Sequence, residues 1–167
     1  MAKFYENEKS ETNKKSDLRI KAIENGTVID HIPCGQAFNV LKIMGINENF
    51  KKTVSFVMNA VGSRGGKDVV KIEGMELTEK QVAAISLIAP NATVNIIRDY
   101  NVISKTQIKT PNEIHGIIKC INPNCITNSK EPIQTSFKVE SESYDESILR
   151  CKYCDSIISD DIVKHLF

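Results

Sequence analysis

Hydrophobic and polar positions change period several times along this chain, and the changes mark its elements. Leu18, Ile20 and Ala22 alternate with Arg19 and Lys21, the spacing of a half-buried strand. Glu24-Asn25-Gly26 supplies turn chemistry, and Thr27 to Ile32 resumes an extended run that Pro33 closes. From Gly35 the period becomes helical. Ala37, Val40, Leu41 and Met44 fall at i, i+3, i+4 and i+7, and Gly45 stops the helix. Val54, Phe56, Met58 and Ala60 then alternate with Thr53, Ser55, Val57 and Asn59 in a further strand. After the loop Gly62-Ser63-Arg64-Gly65-Gly66-Lys67, a strand from Asp68 to Ile72 turns Val70 and Ile72 one way and Val69, Lys71 and Glu73 the other. Thr78 opens a second helix, with Gln81 placed to complete a capping box and Val82, Ile85 and Ala89 as its apolar stripe. Pro90 lies just past its end. Ala92 to Ile97 reads as a strand, and Tyr100 to Lys105 as a short further one.

The order β-β-α-β-β-α-β-β predicts an α+β fold, an antiparallel or mixed sheet with two helices on one face, of ferredoxin-like type. Thr110-Pro111-Asn112 reads as a linker, which separates a first domain at 17–107 from a second at 108–167. In the second, the alternating run Ile133 to Val139, a polar bend from Ser141 to Asp145 and Ile148-Leu149 predict a small all-β unit. Residues 1–16 are rich in Lys, Glu, Asn and Ser, with only Phe4 and Tyr5 as sizeable apolar groups, and are expected to be a disordered tail.

The predicted hairpin of the second domain lies between two thiol pairs. Cys120 and Cys125 are bridged by one short loop, Cys151 and Cys154 by another, with 25 residues between the pairs. Tetrahedral zinc takes four such ligands, and a four-thiolate shell leaves no open position for a substrate. Lys119, Arg150 and Lys152 flank the thiols and are expected to offset the negative charge of such a centre. Two disulfides, or four unrelated buried thiols, are the alternatives. The paired spacing in a chain of cytosolic character favours zinc. The fifth cysteine, Cys34, follows a proline and precedes a helix, and reads as a small packed residue rather than a reactive thiol.

Composition narrows the partners. The 41% hydrophobic fraction suffices for a core, while 22 basic against 21 acidic residues argues against a partner recognised through a polyanionic field, so no nucleic acid is expected. There is no apolar run long enough for a bilayer and no signal-peptide layout, which makes the cytoplasm the expected compartment, with no membrane association. The glycine-rich loop lacks Walker spacing and precedes a strand, so it reads as a hairpin connection. Asp30-His31, at a strand end, has no serine or cysteine placed by motif to complete a triad, and the structural reading is favoured. Lys71 and Asn95 are expected to share a sheet face with Val69 and Ile97, an apolar floor with polar edges of the kind small ligands use.

Four stretches together carry a resemblance. Gly26-Thr27-Val28-Ile29-Asp30-His31-Ile32-Pro33, then Arg64 to Lys71, then Ala89-Pro90-Asn91-Ala92-Thr93-Val94-Asn95, and finally the two cysteine pairs, in this order, closely resemble the aspartate carbamoyltransferase regulatory chain family from Leu18 to the C-terminus. The resemblance implies a subunit without catalytic activity. It implies that the first domain binds nucleoside triphosphates, CTP and UTP inhibiting and ATP opposing, with Mg2+ bridging a second nucleotide. It further implies regulatory-chain homodimers and a zinc domain that docks on a separate catalytic chain.

By motif position, Asp30 and His31 are implied to meet the base, ribose or phosphate region, and Lys71 and Lys105 the ribose and triphosphate. Ile20, Ala22, Ile23, Val28, Val69, Asn95, Ile97, Tyr100 and Val102 are implied to line the pocket, and Lys67 to serve the second nucleotide. Cys120, Cys125, Cys151 and Cys154 map onto the zinc ligands, and Asn122 and Asn124 onto the contact with the catalytic chain. The N-terminus is longer than usual, Lys21 stands where an acidic residue is frequent, and Gln107 replaces a commonly basic residue. These departures bear on the response to each nucleotide. A zinc-ribbon nucleic-acid-binding protein is the rival reading, opposed by near-neutral charge, few aromatic residues and the lack of a basic stripe. An independent nucleotide-hydrolysing enzyme would need a Walker motif or a metal-carboxylate cluster, and the sequence carries neither.

Overall fold

A computed structural model describes residues 21–62, 65–141 and 147–167. The first unit runs β1 (Gly26–Ile32), α1 (Ala37–Ile43), β2 (Val54–Gly62), β3 (Gly65–Glu73), α2 (Glu79–Ser86), β4 (Thr93–Arg98) and β5 (Asn101–Gln107). Its strands form one antiparallel sheet in the order β2-β3-β1-β4-β5. The β1-α1-β2-β3-α2-β4 part has the ferredoxin-like arrangement, to which β5 adds an outer strand. The second unit is a four-stranded antiparallel sheet of β6 (Glu113–His115), β7 (Ser136–Ser141), β8 (Ser147–Cys151) and β9 (Ile157–Ile158). Among the described residues, no helix is long and apolar enough to cross a membrane.

β1 sits at the centre because its inward residues are its most apolar ones. Ile29 and Ile32 are fully buried and pack with Ala37 and Val40 of α1, Val70 and Ile72 of β3, and Ile85 of α2. The expected stripes of both helices therefore face one side of the sheet. α2 starts with the expected capping box: Gln81 N–H donates to the Thr78 hydroxyl at 3.3 Å, and Gln81 Oε1 accepts from Thr78 N–H at 2.9 Å. At Gly26 (φ +144°) β1 passes so close to β3 that a Cβ would lie 2.0 Å from the Ile72 carbonyl oxygen. Only glycine fits there.

Three expectations change. Leu18 to Ile20 of the first predicted strand lie outside the described residues, and Lys21 to Ile23 join no ladder. The Lys21 carbonyl instead accepts from Lys71 Nζ at 3.2 Å. The predicted loop 62–67 is largely strand, since Gly62 pairs with Gly65 and Ala60 with Lys67; its tip, Ser63-Arg64, lies outside the described residues. The simple alternation of β2 fails at Asn59 (φ +55°), where the register shifts between Val57 and Ala60.

Asp68 explains that last irregularity. Its side chain is fully buried, and Oδ1 accepts from Asn59 N–H at 2.8 Å. Oδ2 accepts from Gly35 N–H at 2.8 Å and Ala37 N–H at 3.0 Å, at the start of α1. Gln36, the N-cap of α1, makes no side-chain capping bond, so a carboxylate from β3 does that work from across the fold.

The two units meet at the end of α2. Leu87 is 2% exposed and packs in the second cluster, with Ile114, Ile118, Phe137, Leu149 and Ile158. Thr110 Oγ1 donates to the Ser86 carbonyl at 3.0 Å, while Ile108 packs with the first core.

Candidate functional site

The second sheet brings the four predicted thiols together. All four sulfur atoms lie within 4.8 Å of one another, with Cys120–Cys154 at 3.5 Å and Cys125–Cys151 at 3.8 Å. Four Zn–S bonds of about 2.3 Å in a tetrahedron set sulfur atoms about 3.8 Å apart. A disulfide needs about 2.05 Å, and every cysteine here is a free thiol, which removes the disulfide alternative.

Each knuckle is shaped by its own backbone. Asn122 Oδ1 accepts from Asn124 N–H at 3.0 Å and its carbonyl accepts from Cys125 N–H at 3.0 Å, closing a tight turn. Asn128 Nδ2 donates to the carbonyls of Cys120 (2.9 Å) and Asn122 (2.7 Å), clamping that turn from outside. In the second knuckle, Cys151 N–H donates to Ser156 O at 2.9 Å and Asp155 N–H to Cys151 O at 3.0 Å.

The thiols differ electrostatically. Burial pushes Cys120 and Cys151 up, whereas the Ser156 hydroxyl, 3.2 Å from Cys154 Sγ, brings Cys154 down to about 6. Thr127 Oγ1 donates to Cys125 Sγ at 3.2 Å. Four clustered thiols, three of them buried, become a stable thiolate set only around a cation, and the residues fit a closed structural zinc site. Of the flanking cations, Lys152 Nζ pairs with Glu113 at 2.9 Å and Arg150 with Glu140 at 3.3 Å, while Lys119 is exposed.

The second candidate is the face of the first sheet opposite its helices. Cross-strand register lines up Ser55, Lys71, Val28, Asn95 and Lys105 in one row across β2-β3-β1-β4-β5. Gly26, Ile97 and Val102 lie opposite one another in the adjoining row, and Val69 pairs with Val57 on the other side. Asn95 Nδ2 donates to Val28 O at 3.4 Å. Ile23 is buried, Ala22 exposed, and Tyr100 N–H donates to Glu24 O, which brings the β4–β5 turn against the segment before β1. Tyr100, Val102 and Lys105 are exposed. Ile20 lies outside the described residues.

At one end of this face β1 bulges. His31 (φ +60°) donates its N–H to Asp30 Oδ1 at 2.7 Å, its Nδ1 stands 3.6 Å from Asp30 Oδ2, and Lys67 Nζ reaches Asp30 at 2.7 Å. Burial raises the Asp30 carboxyl, but the bonds from Lys67 and His31 N–H and the charges around it outweigh burial and hold it below its ordinary value. The Asp30–Lys67 pair was not visible in the sequence, where Lys67 belonged to a loop.

Comparison with known proteins decides the family. The aspartate carbamoyltransferase regulatory chain, allosteric domain, matches residues 18–109, and the metal binding domain of the same chain matches residues 112–164. The chain belongs to the aspartate carbamoyltransferase regulatory chain family. The regulatory chain of Methanosarcina barkeri is 53% identical over 91% of this chain and 97% of its own length. That of Methanococcoides burtonii is 54% identical over 90% and 94%, and that of Methanothermobacter thermautotrophicus 46% over 92% and 97%. As a member of a family of regulatory chains, this one is not an enzyme. The four-cysteine cluster lies within its metal-binding half.

Within this regulatory chain, sequence reasoning found every thiol but missed the groups that support them. Asn128, Thr127 and Ser156 sit two to eight residues from a cysteine, close enough for turn chemistry to have flagged them. Asn122 and Asn124, expected to face a partner, are half-buried and exposed respectively, and Asn122 also builds the knuckle.

Proposed function

We propose that this chain is the regulatory subunit of an aspartate carbamoyltransferase of pyrimidine biosynthesis, working in the cytoplasm as a homodimer bound to catalytic chains. The open face of the first sheet takes a nucleoside triphosphate. CTP and UTP favour the less active quaternary state, ATP opposes them, and Mg2+ bridges a second nucleotide near Lys67. One observation carries this reading: Lys71 and Lys105 stand in a single row across the sheet with Val28 and Asn95 between them. An apolar and amide floor suits a base and ribose, and flanking ammonium groups suit a polyphosphate through charge-assisted hydrogen bonds. Asp30, with His31 beside it and Val69 nearby, closes one end, while Ala22, Ile23, Ile97, Tyr100 and Val102 border the other.

The second unit holds zinc through Cys120, Cys125, Cys151 and Cys154, and the metal supplies cross-links rather than chemistry. Asn122 and Asn124 of the first knuckle face the catalytic chain. Regulation then requires only that the triphosphates bind two quaternary states with different affinity, typically by about 1–3 kcal/mol.

The test is an aspartate saturation curve for the matching catalytic subunit, with and without the zinc-loaded chain and with CTP or ATP. A shift that requires both the chain and a nucleotide is expected; complex formation with no nucleotide response would sink the effector assignment. Lys105→Ala should weaken CTP binding about tenfold or more while assembly persists.

A further inference from the structure

A second concave site lies where the two units meet, and it shares no lining residue with the thiol cluster or the open sheet face. It encloses about 340 Å³. That is near the lower end of the range of about 300–1,000 Å³ common for small-molecule sites, which favour domain junctions. Its walls come from the end of α1 (Lys42, Ile43), from α2 (Lys80, Ala84) and from the zinc-bearing unit (Ile117, Leu166).

The walls are mixed. Ile43, Ala84, Ile117, Leu166 and Phe167 supply apolar surface, and no aspartate or glutamate lines the cleft. Phe167 is also the last residue of the sequence, so a main-chain carboxylate there is the nearest competitor for the two ammonium groups. Gln81, also on the wall, is committed elsewhere: Oε1 accepts from Thr78 N–H at 2.9 Å, and Nε2 reaches Met44 O at 3.4 Å. Lys42 and Lys80 are both exposed, and among the described residues neither side chain makes a hydrogen bond or an ion pair. Two unengaged ammonium groups beside one apolar floor select a molecule with a single anionic head and an apolar body.

We propose that this cleft is a binding site for a small amphipathic carboxylate. Its apolar body rests on Ile43, Ala84, Ile117 and Leu166, and its head lies between Lys42 and Lys80. Because the walls belong to both units, the ligand's affinity depends on how they are placed. Occupancy therefore biases that placement, independently of any nucleotide on the open face.

The probe is phenylbutyrate, titrated calorimetrically into the zinc-loaded full chain, with neutral phenylbutyramide as control. Saturable binding with a Kd below about 1 mM is expected. It should weaken about tenfold or more for the amide and for Lys42→Gln/Lys80→Gln, a variant altered only at exposed helical positions. Methyl NMR shifts should fall on Ile43 and Ile117, and saturating CTP should leave the affinity unchanged. Lack of saturable binding would overturn the proposal. So would equal binding of acid and amide, binding indifferent to the two lysines, or displacement by CTP with shifts on Val28 and Val69.

Discussion

The two sheets of this chain reach stability by different routes. Among the described residues, the first buries twelve apolar residues in one cluster between a five-stranded sheet and two helices, none of them a cysteine. The second cluster has ten buried members among the described residues, of which three are cysteines and one, Leu87, is the C-cap of the first unit's helix α2. Six apolar side chains are then left as its own core. Among the described residues, the first sheet can leave much of one face without a packed layer because its other face supplies enough burial. The second depends on cross-links, and its thiols sit where a larger fold would place more core.

Removing the metal should therefore produce the largest and most local effect. Structural zinc contributes apparent free energies of about 10–16 kcal/mol in small modules. Chelation, or Cys125→Ser, is expected to unfold the second sheet and abolish association with catalytic chains, while the first sheet stays folded. NMR dispersion of β7 and β8 against β1 and β3 reads this directly. Loss of both sheets together would break the comparison.

The counterpart in the first sheet is Asp68→Ala. It strands the N–H groups of Gly35, Ala37 and Asn59, each an unmet donor worth about 1–3 kcal/mol if it stays dry. A loss of about 3 kcal/mol or more is expected in urea unfolding, with zinc content unchanged. A loss below about 1 kcal/mol would show that water replaces the carboxylate.

What the sequence made legible follows the same division. Periodicity located β1, both helices, β3 and β4, because local hydrophobic spacing determines which residues face the core. The cysteine spacing specified the metal centre, because a knuckle is a local turn. The long-range polar bonds stayed hidden. Nothing local marks Asp68 as the cap of a helix that begins 31 residues earlier, nor Lys67 as the partner of Asp30. The β2 bulge at Asn59 was missed for that reason, since its cause lies on the neighbouring strand. The open-face row was only half legible: alternation gave each strand's parity, but cross-strand register places Lys71 beside Val28 and Lys105 beside Asn95.

Leu87→Ala tests whether the two units are energetically separate. The side chain leaves α2 but is buried in the second cluster, so truncation should cost about 2–5 kcal/mol there. The first sheet should lose little. Two denaturation transitions, the zinc-bearing one shifted and the other fixed, are expected when probes report each sheet. A single transition shifted as a whole would make the chain one cooperative unit.

The smallest expected effect concerns acid. Asp30 sits below its ordinary value in the folded protein, so the unfolded state takes up its proton first as pH falls. Its contribution to stability is complete above the unfolded carboxyl value near about 3.9 and is lost as pH drops through the lower folded value. Glu113 is also depressed, by Lys152, but that pair is the more exposed, with 43–45% of each side chain open to solvent, and should fade with added salt. Asp30 and Lys67 keep only 26% of each side chain exposed and should resist screening better. In high salt, then, Asp30→Asn should flatten the acid limb of first-sheet unfolding, while Glu113→Gln leaves the second sheet's limb unchanged. Equal effects from the two substitutions would mean that burial does not separate these pairs, and that the bulged end of the open face is as exposed as the rim of the zinc sheet.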